Sequence, residues 1–296
     1  MVSRLGLYKI FSEVVQYKNF SKAAKSLYMT QPAISQSISQ LEGQLGVRLF
    51  TRTSRGVLLT SEGELLYEYI NSAINLINAG ENKIQASKSL NIGDLKIGVG
   101  DTISRYFLLS YLEKFHNQYP NIRLKIINRT TLELCEMLKS GEIDIAICNL
   151  PIEDNSLEIK KCATIHDIFV CGEKYKDDFK EPLSFQELIK FPLIFLDKKS
   201  NSRQYVEKHM LSKGVTINPE IELGSHDLLL EFSKINLGIA CVVEEFSQES
   251  LNTKQLFKLP LQYEIPKRNI GYCFLKSVSL SPASTMFLKI LTAHKN

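Results

Sequence analysis

Thr30, Gln31, Ser35, Gln36 and Ser39 gather neutral side chains that both donate and accept hydrogen bonds into ten residues, around Pro32 and downstream of Ser21. Gln can bond adenine bidentately and Ser can bond either kind of base edge, so this set suits reading a DNA major groove. Arg52 and Arg55 follow in a short loop, where cations reach phosphate or an adjacent minor groove and add affinity more than sequence choice. A second set is scattered: Thr102, Ser104, Thr130, Thr131, Asn149, Ser200, Ser202 and His226 are small polar groups, and Arg129, Lys198, Lys199 and Arg203 lie within a few residues of them. That combination suits a small anionic ligand, with helix capping and solvated surface cations as the rival reading. No catalytic set is present. There is no Gly-x-Ser-x-Gly, no Gly-rich phosphate loop and no His-Glu-x-x-His, the five histidines are scattered, and no Cys-x-x-Cys suggests a metal site. Neither an enzyme nor a cofactor or metal is expected.

These side chains sit on a chain of 296 residues, about two domains' worth, with 44% apolar residues. No apolar run approaches the ~18 residues of a membrane span, and the first fifteen residues carry Arg4, Lys9 and Glu13, so neither anchor nor signal peptide is read. Six widely spaced cysteines fit a reducing cytoplasm. Of these, Cys148, Cys171 and Cys241 stand in apolar strand contexts and read as buried thiols. The net charge of +4 hides an asymmetry, because residues 1–60 carry +6 and the rest −2. A basic module beside a near-neutral one points to a polyanion, usually nucleic acid, against the plainer alternative of a solvated basic face.

The basic module reads as three helices and a hairpin. Leu7, Ile10, Phe11, Val14 and Val15 form one helical stripe; Ser21 caps a second helix over 22–27; Thr30 caps a third, with Pro32 in its first turn. Ile34, Ile38, Leu41 and Leu45 bury one face of that third helix and turn the polar set outward. Short strands at 47–50 and 56–59 flank the loop of residues 51–55, a wing. The pattern is a winged helix-turn-helix with the third helix as reader, the alternative being an ordinary three-helix bundle with a serine-rich surface.

Residues 61–90 read as one helix in which Leu65, Leu66, Tyr69, Ile70, Ala73, Ile74, Leu76, Ile77 and Ile84 fill a broad apolar arc. Some 28 residues run ~42 Å, too long for one small domain to cover, so a partner helix is the simplest cover; packing within its own chain is the alternative. Leu66, Tyr69, Ile70, Ala73, Ile74 and Ile77 are the expected dimer residues. Beyond Asn91, strands alternate with helices in two halves, which implies parallel-sheet α/β lobes with ligand contacts beyond the strand ends.

The run Phe20-Ser21-Lys22-Ala23-Ala24, Thr30-Gln31-Pro32-Ala33-Ile34-Ser35, Leu41-Glu42, Leu45-Gly46, Leu49-Phe50, Arg52 and Leu59-Thr60-Ser61-Glu62-Gly63 resembles the N-terminal domain of LysR-type transcriptional regulators. The likeness continues more loosely to the C-terminus. It implies an α/β chain with an N-terminal all-α winged helix-turn-helix (1–60), a linker dimerisation helix (61–90) and a two-lobed periplasmic-binding-protein-like effector domain (91–296). Lobe I is then 91–161 with 268–296 and lobe II 162–267, joined by extended crossovers near 159–164 and 266–270. The resemblance selects Thr102, Thr131 and Ser202 as effector contacts. It also implies pairing through the linker helix, a homodimer or homotetramer on double-stranded promoter DNA, with RNA polymerase an open further partner and no membrane. Leu109 and Val243 stand where the family has prolines, and the absence of cysteine between Lys198 and His209 removes the peroxide-sensing switch of one branch.

Three classes compete: a ligand-responsive transcription factor, a solute-binding or catalytic α/β protein with an incidental helix-turn-helix, and a DNA-architectural protein. Only the first explains reading head, dimer helix and hydroxyl-lined cleft together.

Overall fold

The first apolar stripe winds into α1 (Leu5–Tyr17), with Phe11 and Val14 buried. α2 (Phe20–Ser26) starts earlier than expected because Asn19, not Ser21, is its cap: the Asn19 carboxamide oxygen accepts the Lys22 N–H at 3.0 Å, and Ser21 stands exposed inside the first turn. α3 (Gln31–Leu45) begins as read, Thr30 Oγ1 accepting the Ala33 N–H, and ends at Gly46, whose φ of 73° is a left-handed cap. The wing differs. β1 (Phe50–Thr53) pairs antiparallel with β2 (Gly56–Leu59), so Thr51, Arg52 and Thr53 belong to the ladder, and residues 47–49 do not. The reason is Glu42: its carboxylate is buried and accepts the Leu49 N–H at 2.7 Å and the Phe50 N–H at 3.3 Å, which spends that stretch on anchoring the wing to α3. Arg55 lies outside the described residues. These elements come from a computed structural model that describes residues 4–53, 56–88, 93–179 and 181–293.

α4 (Ser61–Lys88) is 28 residues long. Thr60 caps it through the Gly63 N–H, and a Cβ at Gly63 would lie 2.2 Å from the Leu49 carbonyl oxygen, so only glycine admits this approach. The chain divides into two compact units, Met1–Lys88 with Lys139–Glu142, and Ser89–Leu138 with Ile143–Asn296.

The second unit begins with β3 (Gly93–Val99). A continuous helical run follows: α5 (Asp101–Ile103), a π-helical turn (Ser104–Leu108) and α6 (Leu109–Gln118). Next come β4 (Ile122–Asn128), α7 (Thr131–Lys139), β5 (Ile145–Leu150), β6 (Leu157–Ile165), β7 (Asp167–Cys171), α8 (Phe185–Leu188), β8 (Leu193–Leu196) and α9 (Asn201–Ser212). The chain closes with β9 (Ile221–Leu223), α10 (His226–Lys234), β10 (Ile239–Val243), α11 (Gln248–Asn252), β11 (Phe257–Lys258), β12 (Arg268–Leu275) and α12 (Pro282–Thr292). Two five-stranded sheets result, in the orders β4-β3-β5-β12-β6 and β11-β7-β10-β8-β9.

Both sheets are mixed rather than parallel. β3 runs parallel to β4 and β5, but β12 is antiparallel to β5 and β6, and β7 is antiparallel to β10. The strands that break the pattern are those entering or leaving a lobe. Residues 159–164, expected as an extended crossover, form the body of β6 and pair along β12; the chain changes sheet at His166, so 162–165 run in the first lobe. Each sheet has an apolar cluster, centred on Leu95, Ile97, Ile145 and Phe287 in the first and on Phe169, Phe195 and Ile239 in the second, and Val243 and Phe246 of the second lobe pack into the first cluster. Cys148, Cys171 and Cys241 are buried thiols in no disulfide, and burial pushes Cys241 well above the ordinary thiol range. Among the described residues no helix is long and apolar enough to cross a membrane.

Candidate functional site

Two sites emerge, one in each unit. On α3, Gln31, Pro32, Gln36 and Ser39 are exposed and Ser35 half-buried, while Ile34, Ile38 and Leu41 carry the burial, so the outward face is polar apart from Pro32. Gln31 donates from Nε2 to Ser35 Oγ at 3.0 Å, one turn apart, and the two act as a pre-set pair. Thr30 is spent on capping and Ser21 is exposed one helix earlier. Sequence reasoning passed over two residues here. Tyr28 occupies the turn between α2 and α3 with φ 55° and is 99% exposed. Glu42 fixes the wing, and only its place beside a buried leucine hinted at burial.

α4 presents two apolar faces. Leu66, Tyr67 and Ile70 pack on the core of their own module, so Leu66 and Ile70, expected in the dimer seam, are already covered. Ile74 is half-buried. Leu65, Tyr69, Ala73, Ile77 and Ile84 are exposed, and their spacing of four, four, four and seven draws one stripe along the helix.

The second site is a cavity of about 780 Å³ at the carboxyl ends of β3, β4 and β8, within the usual range for small-molecule sites. Thr102, Thr130, Thr131, Asn149, Ser200 and Ser202 line it. Ser104 and His226, the other two residues expected there, do not. Ser104 belongs to the π-helical turn. His226 lies behind the wall, 2% exposed: its Nε2 accepts the Val243 N–H at 3.1 Å, so the ring proton sits on Nδ1, which has no hydrogen-bond partner among the described residues. Burial holds this imidazole down at about 4. Thr130 is partly committed, because its N–H and hydroxyl both donate to Glu133 in a capping box at the start of α7.

Arg268, missed by sequence reasoning, organises the floor. It opens β12, is 3% exposed and lines the cavity. Its Nε and Nη2 donate to the two oxygens of Asp167 at 2.5 and 2.9 Å, its Nη2 also to Ser202 Oγ at 2.9 Å, and its Nη1 to Asn149 Oδ1. A guanidinium only donates, so Asn149 and Ser202 must turn acceptors toward it. That leaves the Asn149 NH2 and the Ser202 hydroxyl proton for whatever occupies the cavity.

The cavity's formal charges are mixed, but its carboxylates are engaged locally: Glu133 by Thr130, Glu222 by Arg203 at 3.0 Å, Asp197 by the Lys199 N–H and Asp101 by Asn128. Among the described residues the ammonium groups of Lys198 and Lys199 make no ion pair.

Two family models match the chain: a bacterial regulatory helix-turn-helix protein of the lysR family over residues 5–64 and a LysR substrate binding domain over 88–296. The HTH-type transcriptional regulator YofA of Bacillus velezensis is 26% identical over 288 residues, 97% of each chain. Among solved structures, a full-length single-residue variant of OxyR from Pseudomonas aeruginosa superposes with a TM-score of 0.70 at 20% identity, covering 98% of this chain and 93% of its own. Full-length CbnR in complex with its target DNA gives 0.67 at 19% identity over 97% and 98%. These likenesses establish the same order of a helix-turn-helix followed by a two-lobed α/β domain.

Proposed function

The chain belongs to the LysR family of DNA-binding transcriptional regulators, not enzymes, and on that premise we propose that its two-lobed domain senses a small anionic metabolite in the cleft floored by Arg268. The observation that carries the ligand class is the donor bias of the cavity: Arg268 holds Asn149 and Ser202 with donors to spare, and beside them Lys198 and Lys199 make no ion pair among the described residues. Thr102 and Thr131 add hydroxyls at the first turns of α5 and α7, where backbone N–H groups and the positive end of the α7 dipole also favour an anion.

The DNA reader is α3, with the Gln31–Ser35 pair, Gln36 and Ser39 on base edges and the wing on the backbone. The exposed stripe of α4 pairs with a second copy, so a homodimer, or a tetramer built from two, presents two heads to a pseudo-palindromic promoter site. Occupancy of the cleft shifts the angle between lobes and thereby the spacing of the heads. A cytoplasmic location accords with the DNA target and with cysteines that form no disulfide among the described residues.

The test has two steps. Genomic fragments bound by the full-length protein identify its site, and a panel of carboxylates, phosphates, sugars and amines is then screened by thermal shift and by footprinting on that site. Anions that raise the melting temperature and alter the footprint support the reading. Stabilisation by amines or neutral sugars alone overturns the ligand class.

A further inference from the structure

Between α5 and α6 the helical ladder loosens by one residue, the Leu109 N–H reaching back to the Ser104 carbonyl. Neighbouring residues on a helix point about 100° apart and ordinarily meet different partners. Arg105 and Tyr106, within this turn, converge on one. Arg105 Nη1 lies 2.9 Å from Asp227 Oδ2, and the Tyr106 hydroxyl donates to the other oxygen of the same carboxylate. Arg105 and Tyr106 belong to the first lobe, whereas Asp227 stands in the first turn of α10 in the second. The Tyr106 ring is stacked on Phe246 of the second lobe, with centroids 5.3 Å apart and planes 11° apart, and meets the buried His226 edge-on at 5.2 Å. One widened turn thus delivers a cation, a phenol and an aromatic face to a single point across the lobe boundary.

This contact is continuous with the cavity wall. Thr102 and Ile103, on the same helical run, line the cavity, and so does Phe246. We propose that the π-helical turn Ser104–Leu108 is an inter-lobe latch, in which Arg105 and Tyr106 hold Asp227 and set how readily the lobes close on a ligand. The proposal rests on the cleft being the effector site. A ligand that pulls on the N-terminal turn of this run acts on the latch through two residues of helix. A latch that is already engaged spares the ligand part of the cost of closure, because apparent affinity scales with the population of the competent state. The burial and the Asp227 carboxylate that raise the Tyr106 phenol to about 12 keep it protonated and donating throughout the physiological range.

The experiment uses full-length protein and two conservative variants, Tyr106→Phe, which keeps the ring stack, and Asp227→Asn, which keeps the shape. Hydrogen exchange of ligand-free protein is followed in peptides spanning 101–108 and 226–230. Either variant should speed exchange in both segments by about threefold to tenfold, the range expected for losing one hydrogen bond to a partly exposed carboxylate. The double variant should be no faster than the quicker single, since both changes act through one contact. Unchanged rates, or increases that multiply, overturn the latch. In a second arm, titration with sodium sulfate should give an affinity in Tyr106→Phe about threefold to tenfold below wild type, and equal affinities would also overturn it. A wild-type protein that takes up no sulfate counts against the anionic reading of the cleft, while the ligand-free exchange still decides the latch.

Discussion

His226 accepts a backbone hydrogen bond on one nitrogen and buries the other with no hydrogen-bond partner among the described residues, an arrangement only a neutral ring tolerates. Its folded-state value of about 4, set mainly by burial and then opposed by Asp227, lies below the ordinary 6.5. Above pH 6.5 both folded and unfolded chains carry it neutral and its contribution is fully present. As pH falls below 6.5 the unfolded chain takes up a proton that the folded chain refuses, and stability drops, reaching about 3 kcal/mol of loss near pH 4. His226→Gln, which keeps an acceptor for the Val243 N–H, should flatten this dependence, as read from urea unfolding between pH 7 and 4.5; equal slopes in the two proteins would remove His226 as the cause. The sequence placed His226 at a strand end but gave no sign of which way it faces. Arg268 carried no local signal at all, because its partner Asp167 is 101 residues away.

For the helices, periodicity said which positions are apolar and not what covers them. On α3 the two coincide, since Ile34, Ile38 and Leu41 face the core of their own module and the polar residues are left outside. Gln31→Ala or Ser35→Ala should therefore weaken binding to the cognate site by about 1–3 kcal/mol with nonspecific binding retained, measured by fluorescence anisotropy on cognate and random duplexes. Equal losses on both would deny the pair a base-reading role. On α4 the broad arc divides into a face already packed on its own module and an exposed stripe, a distinction invisible when both faces are leucine, isoleucine and tyrosine. Ile77→Glu, in the exposed stripe, should split the dimer, because a carboxylate desolvated in a helix seam costs several kcal/mol. Light scattering that still reports a dimer would move the interface elsewhere. The wing shows a further limit: residues 47–49 are strand-like in type, yet the buried Glu42 claims the backbone there.

Across the whole molecule, alternation of strands and helices made two lobes legible but could not show where the chain changes sheet, because β6 and β7 follow each other with only His166 between them. Two buried charges of opposite sign meet at the crossing. Asp167 opens β7 on the outward passage and Arg268 opens β12 on the return, and their bidentate pair ties the two passages together at the cavity floor. In the proposed sensor, lobe geometry and ligand recognition therefore share one side chain. Lysine cannot reproduce that fork, since a single ammonium reaches Asp167, Asn149 and Ser202 together only at the expense of geometry. Arg268→Lys should cost about 1–3 kcal/mol of stability in urea and abolish the thermal shift produced by an anionic ligand, whereas Ser202→Ala, which removes one donor, should weaken that ligand by about 1 kcal/mol without lowering stability by as much. Binding to random duplex should be the same in all three proteins, because α3 and the wing fold in the other unit. An Arg268→Lys protein that retains the full anion response would detach the crossing from the site, leaving Asp167 and Arg268 a structural pair alone.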